Sequence, residues 1–311
     1  MLHHFTRSIA HIALPDKFTY PFHYTPHPLC VMAADEVQVY LQHQAQWQDE
    51  LQQGKMFGVL IVQTTEGEIG YLAAFSGILA GKNIHPYFVP PIYDLLQPDG
   101  FFKKEEEHIS AINHRIRELE EDTSYQKCRQ ALEEETARCS RLLSQAKAKL
   151  KAAKELRDCR RQTEQLSESE QAAMIRESQF QKAELKRLER SLKEHLSSLQ
   201  KETDTYVSQI EALKNERKSR SATLQQQLFE QFRLLNARGE VKDLCSIFAH
   251  TVHKIPPAGA GECAAPKLLQ YAYFHHYRPV AMAEFWWGDS PKAEIRHHGH
   301  YYPACKGKCE P

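Results

Sequence analysis

The chain has 311 residues, with 40 basic and 40 acidic side chains and a formal net charge of zero. All 13 glycines and 15 prolines lie outside residues 101–238. Compact domains need turns, and turns rely on glycine and proline, so this distribution excludes a single compact globule. The balanced charge also excludes the strongly basic composition of proteins that bind nucleic acid by charge alone.

The sequence predicts a cytoplasmic protein with no membrane partner. It contains no run of 18 apolar residues that could span a bilayer. The first residues lack the basic region and apolar core of a signal peptide. Eight cysteines without an export signal are expected to be reduced thiols or metal ligands.

Residues 1–100 are predicted to form the first part of a globular body. Two apolar, β-type runs at residues 57–63 and 69–75 flank a polar segment that contains Gly67. This pattern predicts a β-hairpin. Residues 81–91 are predicted to form a loop, because two X-Pro steps disfavour regular structure there.

Residues 101–238 are predicted to form a long, charged coiled coil. A strict seven-residue apolar repeat runs through Leu185, Leu192, Leu199, Tyr206 and Leu213. Such a repeat keeps one helix face against a partner helix. The apolar seam shifts near Thr123 and Ser124, which indicates a stutter.

The sequence favours a second helix of the same chain as the partner of this helix. Ser167 and Glu170 have the spacing of a capping box, which predicts a reversal near residues 166–170. The expected fold class is therefore α+β, a small mixed α/β body with a long inserted antiparallel coiled-coil hairpin. A parallel homodimer through one continuous rod is the alternative.

Residues 239–311 are predicted to complete the body. We expect a short helix at residues 243–253 and an amphipathic helix at 266–276, with Pro266 in its first turn. Residues 280–287 read as a buried strand that contains one carboxylate, Glu284. A buried carboxylate needs a partner, and Lys267 or Arg296 is expected to supply it.

Three cysteines in this part are candidate metal ligands. Cys305 and Cys309 form a C-x3-C pair, and Cys263 begins a predicted helix, whose dipole favours thiolate. Together with His300, three thiolates would form a tetrahedral zinc site. The alternative is that Cys263 is a small buried residue and that the histidines upstream of Cys305 form a solvated turn.

The order of elements around these cysteines resembles the cytidine-deaminase-like fold. In that family a proton-shuttling glutamate stands two residues after the first metal ligand. Ala265 occupies this position here, so the resemblance does not imply deamination. Glu262 or Glu284 could replace the missing carboxylate only through a different geometry.

A basic stripe lies near the predicted reversal and is a candidate RNA-binding surface. Such a stripe can contact a phosphate backbone. An ordinary solvated helix surface is the alternative. Its members are Lys147, Lys149, Lys151, Lys154, Arg157, Arg160 and Arg161.

Four segments carry a resemblance to a known family. They are residues 261–269 (GECAAPKLL), 283–288 (AEFWWG), 300–305 (HYYPAC) and 308–311 (KCEP). They resemble the N-terminal extension of long bacterial RluA-type RNA pseudouridine synthases, and the hairpin and the charged helical segment are similar to it as well. The resemblance implies RNA as the partner and a parent reaction that uses no cofactor.

The resemblance also implies that a catalytic domain follows this region. The family's catalytic aspartate lies in a His-Arg-Leu-Asp motif, which this sequence lacks. The nearest string begins at His114 and has no aspartate. The chain is therefore expected to be an accessory region that positions RNA or a ribonucleoprotein partner, with no catalytic residue of its own for uridine isomerisation. A zinc-binding, deaminase-like hydrolase module and a structural coiled-coil interaction module are the alternatives.

Overall fold

The computed structural model describes residues 1–19, 22, 25–292 and 294–311, and they form a mixed α+β structure. They divide into two compact units, Met1–Glu107 with Ser221–Pro311, and His108–Arg220. Among the described residues, no helix has the length and apolar character needed to cross a membrane. In chain order the elements are α1 (Pro28–Gln42), a 3-10 turn (Ala45–Trp47), α2 (Gln48–Gln52), β1 (Lys55–Gln63), β2 (Ile69–Phe75), α3 (Phe101–Glu121), α4 (Thr123–Thr163), α5 (Glu168–Gln231), β3 (Arg233–Leu235), β4 (Val241–Asp243), α6 (Leu244–Phe248), α7 (Ala264–Phe274), β5 (Arg278–Trp287) and β6 (Tyr301–Tyr302).

The first unit is built on a four-stranded antiparallel sheet with the order β2-β1-β5-β6. The predicted hairpin is confirmed, since β1 and β2 pair from Phe57 and Phe75 to Gln63 and Ile69. The predicted buried strand is also confirmed as β5. β5 pairs along the other edge of β1, so strands from before and after the long helices share one sheet.

Both faces of the central strands are covered, which explains why β1 and β5 are apolar over most of their length. Successive side chains of a strand point to opposite faces. On β1, Phe57, Val59 and Ile61 belong to the core that includes α1, whereas Leu60 and Val62 belong to the core that includes α7.

In the helical unit, His108–Arg220, the helix is interrupted between α3 and α4, where the sequence predicted only a stutter, and again between α4 and α5. Asp122 ends the first helix and caps α4, because its carboxylate accepts hydrogen bonds from the backbone nitrogens of Ser124 (2.8 Å) and Tyr125 (3.0 Å). The seam shift near Thr123 therefore corresponds to a helix break. Between α4 and α5, Ser167 and Glu170 make the reciprocal bonds of a capping box, 2.8 Å and 3.3 Å long.

Polar contacts connect the helices before and after this second break. Their partners run in opposite order along the chain, so the two segments lie side by side and antiparallel. The pairs are Glu120 with Lys214 (2.7 Å), Glu135 with His195 (3.5 Å), Lys147 with Glu189 (3.3 Å) and Arg157 with Gln181 (2.7 Å).

Two sequence predictions about helix ends are wrong. The last long helix ends at Gln231, and the short hairpin of β3 and β4 follows it. Asn236 makes this turn, since its side chain accepts bonds from the backbone nitrogens of Arg238 and Glu240. The helix predicted at residues 243–253 ends at Phe248, and turns follow it.

Gly58 allows α7 to approach the sheet closely. It lies in β1 between Ala74 of β2 and Glu284 of β5. A Cβ atom at Gly58 would lie 2.9 Å from the Cβ of Ala264 and 3.1 Å from a methyl group of Leu268. The absence of a side chain therefore determines how near the start of α7 comes to β1 and β5.

We expect Gly58→Ala to destabilise the protein by about 1–3 kcal/mol, because the added methyl group must displace α7. Urea unfolding measures this loss. Gly307→Ala is the control, since nothing lies within 4 Å of the position of its added Cβ. Equal unfolding midpoints for the two variants would contradict the close approach.

Candidate metal centre

Local structure places three cysteines in one corner of the first unit. Cys263 is the N-cap residue of α7 and has extended backbone angles. Cys305 and Cys309 follow β6 on a turn in which the Cys309 nitrogen donates to the Cys305 carbonyl over 3.1 Å. This turn brings the two ends of the C-x3-C pair together beside the start of α7.

The three sulfurs have the spacing of ligands to one metal ion. Their Sγ atoms all lie within 4.8 Å of one another. The Sγ atoms of Cys305 and Cys309 are 3.7 Å apart. Tetrahedral zinc with Zn–S bonds of about 2.3 Å requires sulfurs about 3.8 Å apart. The arrangement therefore fits zinc with small adjustments of the side chains.

The three thiols perturb one another's pKa values. Hydrogen bonding with Cys263 and Cys309 lowers the pKa of Cys305, and hydrogen bonding with Cys305 raises the pKa of each of the other two thiols. The prediction that the helix dipole makes Cys263 a thiolate is therefore wrong for the metal-free protein. Its bond with Cys305 is the largest cause of its raised pKa. Three thiolates here require a bound cation.

His300 does not join the cysteines, contrary to the sequence prediction. Within the described ranges, the set of close ligand atoms around these sulfurs contains the three cysteines alone. The pairing of β5 with β6 fixes the backbone of His300, whose carbonyl accepts from the Trp286 nitrogen over 2.9 Å. Its ring lies against His297, with the ring centroids 5.3 Å apart.

Glu284 is a buried carboxylate close to the same corner. Its side chain accepts a hydrogen bond of 3.2 Å from the backbone nitrogen of Ala265, two residues after Cys263. Burial raises its pKa to about 7, which the Ala265 bond opposes and the charge of Cys305 reinforces. The sequence predicted Lys267 or Arg296 as the partner. The hydrogen-bonded partner is instead the helix backbone, and Arg296 contributes a smaller attraction.

Lys267 fastens α7 to the end of β2 and does not pair with Glu284. Its ammonium group donates to the carbonyls of Phe75 (2.9 Å) and Gly77 (3.3 Å). It also lies 4.9 Å from the centroid of the Phe75 ring. Burial lowers its pKa to about 8.

A cavity of about 510 Å³ lies along α7, and Cys309 and Ala265 form part of its wall. This volume is in the range of small-molecule sites. Sequence reasoning missed the cavity because its walls come from distant segments. Its apolar walls include Leu234, Leu244, Phe248, Leu269, Tyr273 and Met282, and Asn236, Lys242, Gln270 and Lys308 add polar groups.

The helical unit has a basic groove of about 420 Å³, lined by most of the predicted basic stripe. Lys182 of α5 also lines it, and sequence reasoning missed this residue because it lies on the opposite helix. Two predicted members lie elsewhere: Lys149 lines a neighbouring groove, and Arg160 pairs with Glu164 at 2.9 Å. The cations of the groove are Lys147, Lys151, Lys154, Arg157, Arg161 and Lys182.

Arg157 differs from the other cations of the groove because it is buried. Its guanidinium donates to Gln181 (2.7 Å) and lies 3.8 Å from Glu177. It therefore holds α4 against α5 and is not a free phosphate ligand. In the described part of the chain, no ion pair within 4.0 Å involves Lys154 or Lys182.

Comparisons with protein-family models, with curated proteins and with solved structures found no match to this chain. The three sulfurs, the carboxylate of Glu284 and the basic groove are therefore the observations on which a functional assignment depends.

The stability of the protein relative to Lys267→Met should rise with pH between about 8 and 10.5. The folded-state pKa lies below the unfolded value of 10.5. In this window Lys267 is protonated in the unfolded chain but not in the folded one. The difference in the free energy of unfolding between the wild type and Lys267→Met therefore grows by about 1.4 kcal/mol per pH unit. Below pH 8 both states are protonated and the difference is constant.

Urea unfolding of both proteins at pH 7, 8, 9 and 10 measures this difference. Lys193→Met is the control, since Lys193 is an exposed lysine. A constant difference for Lys267→Met over the whole range would contradict the burial of a titrating ammonium group.

Proposed function

We propose that this chain is the accessory N-terminal region of an RNA pseudouridine synthase, stabilised by a zinc ion on Cys263, Cys305 and Cys309. The observation that carries the zinc site is the separation of the three sulfurs, all within 4.8 Å of one another. Thiolates are soft ligands that favour zinc over magnesium or calcium. The bound ion would tie the last turn of the chain to the start of α7.

RNA is the proposed partner, and the basic groove is its proposed contact surface. The resemblance to the extensions of pseudouridine synthases suggests RNA as the ligand. The groove supports it with five cations besides the buried Arg157, against a single lining carboxylate, Asp158. Lys154 and Lys182 are exposed and available to phosphates.

The proposal also covers the type of helical hairpin, the fold of the body and the cellular compartment. The helical unit would be an antiparallel coiled-coil hairpin, because Leu192 and Ile210 of the heptad region are buried within it. The hairpin, the helix begun by Cys263 and the strand β5 support a cytidine-deaminase-like body. The proposed compartment is the cytoplasm, where thiols stay reduced and free to bind metal.

The zinc site predicts one zinc per chain in protein purified without chelator. Cys305→Ser should lose the metal, because two thiolates bind zinc far more weakly than three. Cys159→Ser is the matched control, since Cys159 is exposed and lies in the helical unit. Metal analysis by mass spectrometry gives the stoichiometry. Equal zinc in both variants, or none in the wild type, would contradict the site.

The groove predicts that reversing Lys151, Lys154 and Lys182 to glutamate weakens binding to a structured RNA about tenfold or more at 0.1 M salt. Each lost phosphate contact should also lower the salt slope by about one. The control reverses Lys193, Lys201 and Lys218, which are exposed lysines outside the groove. Fluorescence anisotropy measures the RNA affinity and its dependence on salt concentration. Equal affinities for the two triple variants would refute the groove as the RNA surface.

A further inference from the structure

The cavity of about 510 Å³ along α7 is a cleft whose walls are fixed by contacts within the first unit. Part of the wall is α7, and part is the β3–β4 hairpin with α6. The side chain of Gln270 joins these two parts, since its oxygen accepts from the backbone nitrogen of Leu235 over 2.7 Å. Phe232, just before β3, packs against Gly261, where an added Cβ atom would lie 2.6 Å from its ring. The cleft is therefore preformed, as small-molecule sites usually are.

Most of the wall is apolar, and much of it is only half-buried. Leu234, Leu269 and Tyr273 line the cavity, and each of them is half-buried. Covering such surface with an apolar group is favourable. The volume is that of a small molecule and too small for a folded partner. The cavity therefore suits a small ligand with an apolar body.

Several polar groups of the wall are already hydrogen-bonded within the protein. Asn236 donates to the carboxylate of Glu240 over 2.8 Å, and its oxygen accepts from two backbone nitrogens. Ser246 donates to Asp243 over 2.8 Å. These bonds hold the hairpin turn and the start of α6, so they do not select a ligand.

The ammonium groups of Lys242 and Lys308 are the cations of the wall that remain available. Within the described residues, neither ammonium group has a hydrogen bond or an ion pair. Two ammonium groups against one side-chain carboxylate, that of Glu240, leave one net positive charge when His250 is neutral. A ligand with a single negative charge balances it, whereas a doubly charged phosphate exceeds it.

We propose that the cavity along α7 binds a small amphipathic carboxylic acid, namely a medium-chain aliphatic monocarboxylate. Its chain would lie on the apolar wall, and its carboxylate would accept hydrogen bonds from Lys242 or Lys308. This inference goes beyond the proposed function and uses neither the cysteine sulfurs nor the basic groove.

Titration calorimetry of the full chain with octanoate tests the site, and octan-1-ol is the matched probe without a charge. We expect one octanoate per chain, bound about tenfold or more tightly than octanol, because hydrogen bonds to charged groups are the stronger ones. Decanoate should bind more tightly still, by up to about fourfold per added methylene group. No saturable binding of either acid, or equal affinities for octanoate and octanol, would overturn the inference. Octyl phosphate that binds more tightly than octanoate would overturn the singly charged head group.

Lys242→Met and Lys308→Met locate the carboxylate. At least one of them should weaken octanoate binding about tenfold, to the level of octanol, and leave octanol binding unchanged. Lys306→Met is the control, since Lys306 is exposed on the same turn as Lys308 but does not line the cavity. Wild-type affinity for octanoate in both lysine variants would overturn the inference.

Leu269→Trp tests the apolar wall, because the larger ring occupies part of the cavity. It should weaken octanoate and octanol alike, by about tenfold or more. Phe274→Trp is the control on the same helix, since Phe274 is exposed and lies outside the cavity. Circular dichroism reports whether Leu269→Trp is folded, and a folded variant with wild-type affinity would overturn the location. If it does not fold, the lysine variants decide the question by themselves.

Discussion

The pairing of β1 with β5 is the contact on which the candidate site depends. Gln63 and Arg278, at one end of this pairing, are 215 residues apart in the chain. The register places Gly58 opposite Glu284, and α7 packs on the sheet where Gly58 leaves space for Ala264. The carboxylate, the start of α7 and its capping cysteine therefore meet because two remote strands share one register.

Charge is the second constraint. The three cysteine thiols and the carboxylate of Glu284 lie close together, and they cannot all be ionised without a compensating positive charge. Burial raises the pKa of Glu284, and only one of the three thiols has a lowered pKa. Lys267 does not relieve this, because its ammonium group is committed to the carbonyls of Phe75 and Gly77. A divalent cation is the simplest way to stabilise several thiolates at once.

The sequence predicted those features that depend on local patterns. The hairpin of β1 and β2 and the capping box at Ser167 follow from alternation and from residue spacing. The cysteine trio was predictable from residue type, but its ligand set was not. His300 is near Cys305 in sequence, yet the pairing of β6 directs it elsewhere. The Ala265 partner of Glu284, the position of Lys182 and the cavity depend on the packing of distant segments, which no short window contains.

Zinc-edge X-ray absorption of the full chain reports the ligands of the bound ion, so it tests directly whether the three cysteines hold zinc. We expect three sulfur neighbours at about 2.3 Å and one oxygen at about 2.0 Å, without the multiple scattering of an imidazole ring. A shell completed by histidine or by a fourth sulfur would contradict an open three-cysteine centre.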